Sequence, residues 1–254
     1  MQVSNVNRPD FRVKLADTPD ELRAAQRLRY EVFVRELGGG GDLVDHDAGL
    51  ECDRFDPYFD HMILTEQGRD AVIGVYRLLR SDRADAAGGF YSEREYDLTP
   101  LKASGRRLLE LGRSCVHPDY RGGMAMHSLW QGLAAYVARH RIEVLFGVAS
   151  FHGTDVGAIA APLSLLHHRH LAPSELRVRA REFQPMDLLL PDGIDKAAAM
   201  VKVPSLIKAY LRLGGYVGEG AYVDHAFNTT DVCLIMDTAK LNARQARMYK
   251  GDRG

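Results

Sequence analysis

Residues 107–151 read RLLELGRSCVHPDYRGGMAMHSLWQGLAAYVARHRIEVLFGVASF, and this stretch decides the fold. It opens on one apolar run, RLLELGRSCV, and closes on another, EVLFGVASF, as is typical of strands inside a sheet. Between them, apolar residues from Met126 to Val137 recur at the spacing of one helix face. The stretch therefore predicts a strand–helix–strand unit, the parallel crossover connection of an α/β sheet.

The flanking sequence extends this unit in both directions. Thr18, Pro19 and Glu21 have the pattern of a helix N-terminus, and this helix is expected to end near Gly38. Apolar periodicity predicts further strands and a helix, at 61–66, 71–80, 232–236 and about 204–213. We expect one α/β domain of 254 residues, with a central mixed, twisted sheet flanked by helices. Its core is expected over residues 11–160, and an additional C-terminal helix-and-strand portion over 161–254.

Composition narrows the possible partners and locations. Lys and Arg number 33 against 34 Asp and Glu, a net charge of −1, so the overall charge does not favour nucleic acid. Cys52, Cys115 and Cys233 have no CxxC spacing, which fits a reducing compartment. Neither an apolar signal region nor a run of about eighteen apolar residues is found, so a cytoplasmic location is expected.

A charged pair, Glu110 and Arg113, interrupts the first apolar run. Strand alternation would send these two side chains to opposite faces unless a bulge, favoured at Gly112, re-aims one of them. Such a pair suits an active site, and it equally suits a structural ion pair. Downstream, Arg121 and two glycines precede the predicted helix, where free backbone N–H groups favour a phosphate, although two glycines alone are a weak signal.

This order of strand, loop and helix resembles the GNAT acyltransferase superfamily, whose donor-binding loop has the pattern Arg/Gln-x-x-Gly-x-Gly/Ala. Counting from Arg121, the present sequence has Met124 and Met126 at the small-residue positions, where a side chain obstructs close approach of a diphosphate. The departure argues against coenzyme A. It favours a donor with a single phosphate, the phosphopantetheine arm of acyl carrier protein.

Four segments also resemble, in order and spacing, the acyl-homoserine-lactone synthases, a GNAT-like family that uses acyl carrier protein. They are RYEVFVREL (29–37), ECDRFDPYFDH (51–61), VIGVYRLLRS (72–81) and LELGRSCV (109–116). Over nearly the whole chain the resemblance is closer to the ornithine N-α-acyltransferase family. It is carried by ELGRSCVHPDYRGG, VLFGVASFHGTD, REFQPMDLL and PSLIKAYLRLGGYVGEGAYVDHAFNTTDVCLIMD. The resemblance implies transfer of a 3-hydroxyacyl chain from acyl carrier protein to the α-amine of L-ornithine, giving lyso-ornithine lipid.

The resemblance also implies site residues. Glu110 is expected to be the general base, and no tightly bound cofactor is expected, because phosphopantetheine would be a co-substrate. Its phosphate would be held by Arg121, Gly122 and Gly123. The acceptor would be bound by Arg29, Asp53, Asp56, Arg77, Arg113, Ser150 and Phe151. Arginines suit a carboxylate or phosphate, and Asp53, Asp56 and Asp60 suit an ammonium. The alternatives are a solvated turn around Pro57 for the aspartates and an exposed helix position for Arg29.

Other motifs point to partners or to nothing specific. Cys115 is expected to pack as an apolar residue, and HHRH at 167–170 lacks a metal-site spacing, so no metal is assigned. Two basic segments are candidates for docking acidic acyl carrier protein, or are ordinary solvated faces: RVRARE (177–182) and the helix region with Lys202, Lys208 and Arg212. The same helix and the C-terminal KLNARQARMYKGDR are candidates for transient contact with the inner membrane surface.

Three other interpretations stay open at this stage. One is a homoserine-lactone synthase using S-adenosylmethionine, and another is acylation of glutamine, lysine or glycine. The third is a non-catalytic acyl-carrier or lipid-binding module, which the joint presence of Glu110, Arg113 and the acidic segment disfavours.

Overall fold

The predicted strand–helix–strand unit is present, and the other elements assemble around it. A computed structural model describes residues 10–41, 43–68, 71–121 and 124–241. The α-helices are α1 (Pro19–Arg29), α2 (Ser81–Ala84), α3 (Thr99–Ala103), α4 (Met124–His140), α5 (Ala160–His170), α6 (Lys196–Lys202) and α7 (Ser205–Arg212). The strands are β1 (Phe11–Leu15), β2 (Asp60–Glu66), β3 (Val72–Arg80), β4 (Tyr96–Asp97), β5 (Leu108–Val116), β6 (Val144–His152), β7 (Arg179–Ala180), β8 (Tyr216–Val217), β9 (Tyr222–Asp224) and β10 (Thr229–Asp237).

One mixed sheet carries the fold. Its strand order is β1-β2-β3-β5-β6-β10-β8, and β9 also pairs with β10. The β5–β6 pair is parallel, whereas the other neighbours in this sheet are antiparallel. The single parallel step is the connection through α4 that residues 107–151 predict. The expected α/β class is therefore confirmed.

Helix α1 begins as its sequence predicts and ends in a different form. The Thr18 hydroxyl accepts a hydrogen bond from the Glu21 N–H at 3.2 Å, and Pro19 occupies the first helical position. After Arg29 the chain continues as a π-helix, Tyr30–Glu36, and Gly38 then leaves it with φ of 71°. The predicted end near Gly38 is confirmed, but the π-helical turn, a feature frequent at functional sites, was not predicted.

Apolar side chains cover both faces of the sheet. On β2, Met62 and Leu64 belong to the core cluster that includes Leu129 and Leu133 of α4. Ile63, between them, belongs to the cluster formed with α1 on the other face. Because adjacent residues are buried on opposite faces, the strand reads as a continuous apolar run.

The C-terminal part of the chain completes the sheet beside β6. β10 pairs with β6 from Thr229 opposite His152 to Asp237 opposite Val144. The division into a core and a C-terminal portion stays a prediction. The RVRARE segment is strand only at Arg179–Ala180, which pairs with β4. Among the helices of the described chain, none has the length and apolar character that a bilayer crossing requires.

Candidate active site

A cavity lies where two parallel strands of the sheet stop pairing. β5 and β6 are paired from Leu108–Glu110 to Val144–Phe146, and beyond that point both strands line a cavity of about 270 Å³. Where the strands begin to separate, a Cβ atom at Gly147 would overlap the Leu111 carbonyl oxygen, so only glycine permits this close approach. Beyond Glu110 and Phe146, where β5 and β6 no longer pair with each other, alternate residues of each strand turn their main-chain N–H and C=O groups toward the gap between them.

Glu110 is the last residue of β5 that pairs with β6, and it lies in the cavity wall. Its Oε1 accepts hydrogen bonds from the Ser92 N–H at 2.7 Å and the Ser92 hydroxyl at 2.6 Å, and its Oε2 accepts one from the Tyr91 N–H at 2.8 Å. Burial raises the pKa of Glu110 above its ordinary value, and these hydrogen bonds oppose the shift. A carboxylate with a raised pKa suits a general base near neutral pH.

A β-bulge re-aims Arg113, one residue after the predicted position at Gly112. Between the Arg77–Gly112 and Val75–Cys115 pairs, β5 has two residues where β3 has one. Arg113 adopts φ of 49° there. Its Nε lies 3.0 Å from Glu51 Oε1, and its guanidinium lies 5.0 Å from the centre of the Tyr91 ring. Arg113 and Glu110 both contact Tyr91, one through its ring and the other through its main-chain N–H, but they do not form an ion pair with each other.

Arg113 belongs to a closed ring of ion pairs. In order around the ring, each residue contacting the next, it contains Arg29, Glu51, Arg113, Asp53, Arg77 and Asp56. Arg77 lies 2.7 Å from Asp53 and 2.8 Å from Asp56. Burial opposes ionisation of Asp56, but the arginines outweigh it and hold the Asp56 pKa below its ordinary value. Three arginines alternate with three carboxylates, so the formal charges of the group cancel. We call this group the ion-pair ring.

The ring divides the predicted acceptor residues into two groups. Arg77 and Arg113 line the cavity, whereas Arg29, Asp53 and Asp56 are not part of its wall. Arg29 is 0% exposed and Asp56 is 5% exposed, so the alternatives of an exposed helix position and a solvated turn are wrong for these two residues. Direct contact of the aspartates with an ammonium stays a prediction, and the structure gives both of them arginine partners.

Asp60 lies apart from the ring. It pairs with Arg83 at 2.6 Å, with Arg80 at 3.4 Å and with the Tyr136 hydroxyl at 2.6 Å.

Ser150 and Phe151 point to different environments because they are neighbours on one strand. Ser150 lines the cavity and lies opposite Asp231 in the sheet. Phe151 is 2% exposed and belongs to the main hydrophobic core, not to the cavity wall. Contact between Phe151 and the acceptor stays a prediction.

Arg121 lies outside the cavity wall, at the end of the loop before α4. Its two terminal nitrogens pair with the two carboxylate oxygens of Glu36, each at 2.6 Å, and its Nε donates to the Val116 carbonyl at 3.1 Å. Leu37, which follows Glu36, lines the cavity. Gly122 and Gly123 lie outside the described residues, so phosphate binding at this loop stays a prediction.

Three carboxylates that sequence analysis missed also line the cavity: Glu95, Asp224 and Asp231. One side-chain oxygen from each of the three lies within 4.8 Å of those of the other two. Burial, to which repulsion between the neighbouring carboxylates adds, raises the pKa of Glu95 to about 9 and that of Asp231 to about 6. Asp231 carried a usable signal, since it is an acid at the start of an apolar strand, as Glu110 is an acid within one. Nothing local marked the other two.

Cys115 is 5% exposed and belongs to the cluster beneath α1, and burial raises the pKa of its thiol to about 12. The prediction that it packs as an apolar residue is confirmed.

Known proteins with the same architecture define the class. A family model described as "Acetyltransferase (GNAT) domain" matches residues 28–131. FeeM, an N-acyl amino acid synthase from uncultured soil microbes, has a TM-score of 0.52 at 11% identity, covering 92% of this chain and 93% of that one. The acyl-homoserine-lactone synthase LasI has a TM-score of 0.50 at 18% identity, covering 96% of each chain. The protein therefore has the GNAT-like acyltransferase fold, as the sequence predicts.

Relatives with much higher identity define the family. The chain is 60% identical over 244 residues to the L-ornithine N(alpha)-acyltransferase of Rhodobacter capsulatus, covering 94% of each protein. It is 42% identical to that of Brucella abortus, covering 93% of this chain and 88% of the relative. The chain belongs to the L-ornithine N(alpha)-acyltransferase family, and the resemblance read from its motifs is confirmed.

Proposed function

We propose that this protein transfers a 3-hydroxyacyl chain from acyl carrier protein to the α-amine of L-ornithine, giving lyso-ornithine lipid. The observation that carries the proposal is the 60% identity to the L-ornithine N(alpha)-acyltransferase of Rhodobacter capsulatus, over 94% of both chains. The cavity supports it, because charged groups of both signs adjoin an apolar wall. That wall includes Leu111, Leu206, Tyr210, Leu234 and Met236.

The proposed reaction exchanges a thioester for an amide. The α-nitrogen of ornithine attacks the acyl carbonyl carbon, a C–N bond forms, and the C–S bond to phosphopantetheine breaks. The amine loses a proton and the departing thiolate gains one, so no external oxidant or reductant takes part. Because an α-amine is largely protonated at neutral pH, the enzyme must remove a proton before attack.

Glu110 is our candidate for that base. It lines the cavity, it has no ion-pair partner among the described residues, and its hydrogen bonds from Tyr91 and Ser92 fix its orientation. Each carboxylate oxygen has two lone pairs, so acceptor capacity remains for a proton from the amine or an intervening water. Main-chain N–H groups facing the gap between β5 and β6 are candidates to stabilise the oxyanion.

Arg77 and Arg113 are our candidates for the acceptor carboxylate, since both line the cavity. Their charges are shared with Glu51, Asp53 and Asp56, so Arg29 and these carboxylates are proposed to position the two arginines. Ser150 is proposed to contact the acceptor from the opposite strand.

On the donor side, Arg121, Gly122 and Gly123 are proposed to hold the phosphopantetheine phosphate. The guanidinium of Arg121 is occupied by Glu36, so phosphate would share or replace that pair. An Arg121→Ala variant should raise the KM for acyl carrier protein substrate and leave the KM for ornithine unchanged.

We propose a cytoplasmic location with transient membrane contact through the α6–α7 region. Val201, in α6, is 76% exposed, and Lys208 Nζ donates to its carbonyl at 3.2 Å. Leu190, six residues before α6, is 81% exposed. Exposed apolar side chains beside lysine suit an anionic lipid surface. In flotation with phosphatidylglycerol vesicles, the protein should be recovered in the vesicle fraction. Recovery in that fraction equal to recovery without lipid would contradict the membrane contact.

The overall function is tested by incubating the protein with 3-hydroxyacyl carrier protein and a panel of amino acids, followed by mass spectrometry. Nα-acyl ornithine is the expected product. Acylation of glutamine, lysine or glycine in preference to ornithine, or no acylation at all, would refute the proposal. An acyl-homoserine lactone formed from S-adenosylmethionine would do the same.

A further inference from the structure

The carboxylates Glu95, Asp224 and Asp231, hereafter the acidic cluster, are not used by the mechanism above. Asp224 ends β9, Asp231 lies in β10, and Glu95 follows the 3₁₀ turn Tyr91–Arg94. All three line the cavity that contains Glu110. Distant segments thus bring three acids to one wall.

These acids lack the cationic partners that would favour their ionised forms, and the hydroxyls of Ser150 and Thr229 oppose the rise of the Asp231 pKa without cancelling it. Among the described residues, no lysine or arginine forms an ion pair with any of them, although the ion-pair ring lies nearby. Glu95 and Asp231 are each 4% exposed, and Glu95 Oε2 and Asp231 Oδ1 have no hydrogen-bond partner. Asp224 uses Oδ1 to accept from the N–H groups of Ala226 and Phe227. Unpaired buried carboxylate oxygens are strongly unfavourable, which favours binding of a cation.

The position of the cluster indicates which cation. Glu110 holds the main-chain N–H groups of Tyr91 and Ser92, at the start of the same 3₁₀ turn that ends just before Glu95. One short turn therefore joins the candidate base to the acidic cluster. A primary ammonium has three N–H donors, which matches three carboxylates within 4.8 Å of one another.

We propose that the acidic cluster binds the side-chain ammonium of the acceptor and so selects amino acids with a terminal amine. This inference rests on the proposed function and names the specificity site within it. Ornithine would lie with its α-amine at Glu110 and its side-chain amine at Glu95, Asp224 and Asp231. Neutral acceptors would leave the three acids unpaired.

The test compares L-ornithine with L-2-aminopentanoic acid, which has the same carbon chain without the terminal amine. The wild-type protein should favour ornithine by about 100-fold or more in kcat/KM. The double variant Glu95→Gln, Asp231→Asn should lose at least about tenfold of that preference, mainly through a raised KM for ornithine. Glu175→Gln, an exposed carboxylate outside the cavity wall, is the matched control and should keep the preference.

A folded double variant with unchanged preference would overturn the proposal. So would calorimetry showing that CaCl₂ or MgCl₂ binds the wild-type protein and not the double variant, with the preference intact, because the cluster would then be a metal site. If the double variant does not fold, the Tm of the wild-type protein decides. Ornithine should raise that Tm more than 2-aminopentanoic acid does, and equal shifts would overturn the proposal.

These outcomes are separable from failure of the proposed function. Absence of any acylated product with the wild-type protein refutes the function, and the Tm comparison still tests the subsite. Acylated ornithine whose yield does not depend on the cluster refutes only the subsite.

Discussion

The substitution Glu110→Gln tests whether Glu110 is a general base or only stabilises the 3₁₀ turn that begins at Tyr91. The carboxylate accepts three hydrogen bonds, from the Tyr91 N–H at 2.8 Å, the Ser92 N–H at 2.7 Å and the Ser92 hydroxyl at 2.6 Å. In Glu110→Gln, one oxygen becomes an NH₂ group that faces a donor. At least one hydrogen bond is lost, which should lower the free energy of unfolding by about 1–3 kcal/mol. For a chain of this size that corresponds to about 2–4 °C in Tm for each kcal/mol.

The effect on catalysis should be much larger than the effect on stability. Loss of a general base should reduce kcat by about 10²–10⁴-fold at neutral pH. The assay is acylation of ornithine from 3-hydroxyacyl carrier protein between pH 6 and pH 10, with circular dichroism to confirm folding. Activity of the variant should recover toward high pH, where the free amine no longer needs a base.

Ser92→Ala is the matched control, since it removes one hydrogen bond and keeps the carboxylate. It should lose about 1 kcal/mol of stability and keep kcat within about threefold of wild type. The hydroxyl stabilises the ionised form, so its removal should raise the Glu110 pKa and move the acid limb of the pH profile upward. A folded Glu110→Gln variant with wild-type kcat at neutral pH would refute the reasoning and leave Glu110 a brace for the 3₁₀ turn.

Three further substitutions test the ring, the acidic cluster and the strand separation. Asp56→Asn leaves Arg29 and Arg77 short of negative charge and should lower the free energy of unfolding by about 3–5 kcal/mol in urea at pH 7. Because the Asp56 pKa is depressed in the folded state, this difference should shrink as pH falls; equal stability at pH 7 contradicts the ring's importance. Glu95 has a folded-state pKa of about 9, so its contribution is favourable in acid and lost as pH rises toward that value. Glu95→Gln should therefore be more stable than wild type at pH 8, by about 1 kcal/mol or more, and close to it at pH 5; thermal melts at both values check the sign. Gly147→Ala should cost about 1–3 kcal/mol and most of the activity, since its Cβ would overlap the Leu111 carbonyl, and a fully active variant would show that the close approach is dispensable.

Much of the architecture was predictable because it follows from local patterns. The helix N-terminus at Thr18, the strand–helix–strand unit of residues 107–151 and the strand of the last quarter all follow from periodicity over short windows. Glu110 and Arg113 stood out because a charge in an apolar strand is costly to bury without a reason. The family could also be predicted, because its motifs are contiguous segments of the sequence.

The shape of the site was not accessible in this way. Arg29 comes from a helix that a sequence pattern cannot distinguish from a surface helix, and only packing shows that its side chain is 0% exposed inside the ion-pair ring. The position of the bulge depends on how β5 aligns with β3, a register that pairing decides.

The sequence by itself determined the central strands, the helices that begin at Pro19 and Met124, their order and the family. The tertiary structure alone decided which charges neutralise one another and which remain unpaired. Glu95 and Asp231 lie close together because β10, near the C-terminal end of the described residues, pairs with β6. No local sequence pattern predicts the distance between these two carboxylates. The physical reason is that periodicity is a property of neighbours along the chain, whereas the pKa of a buried acid depends on whichever segments fold against it.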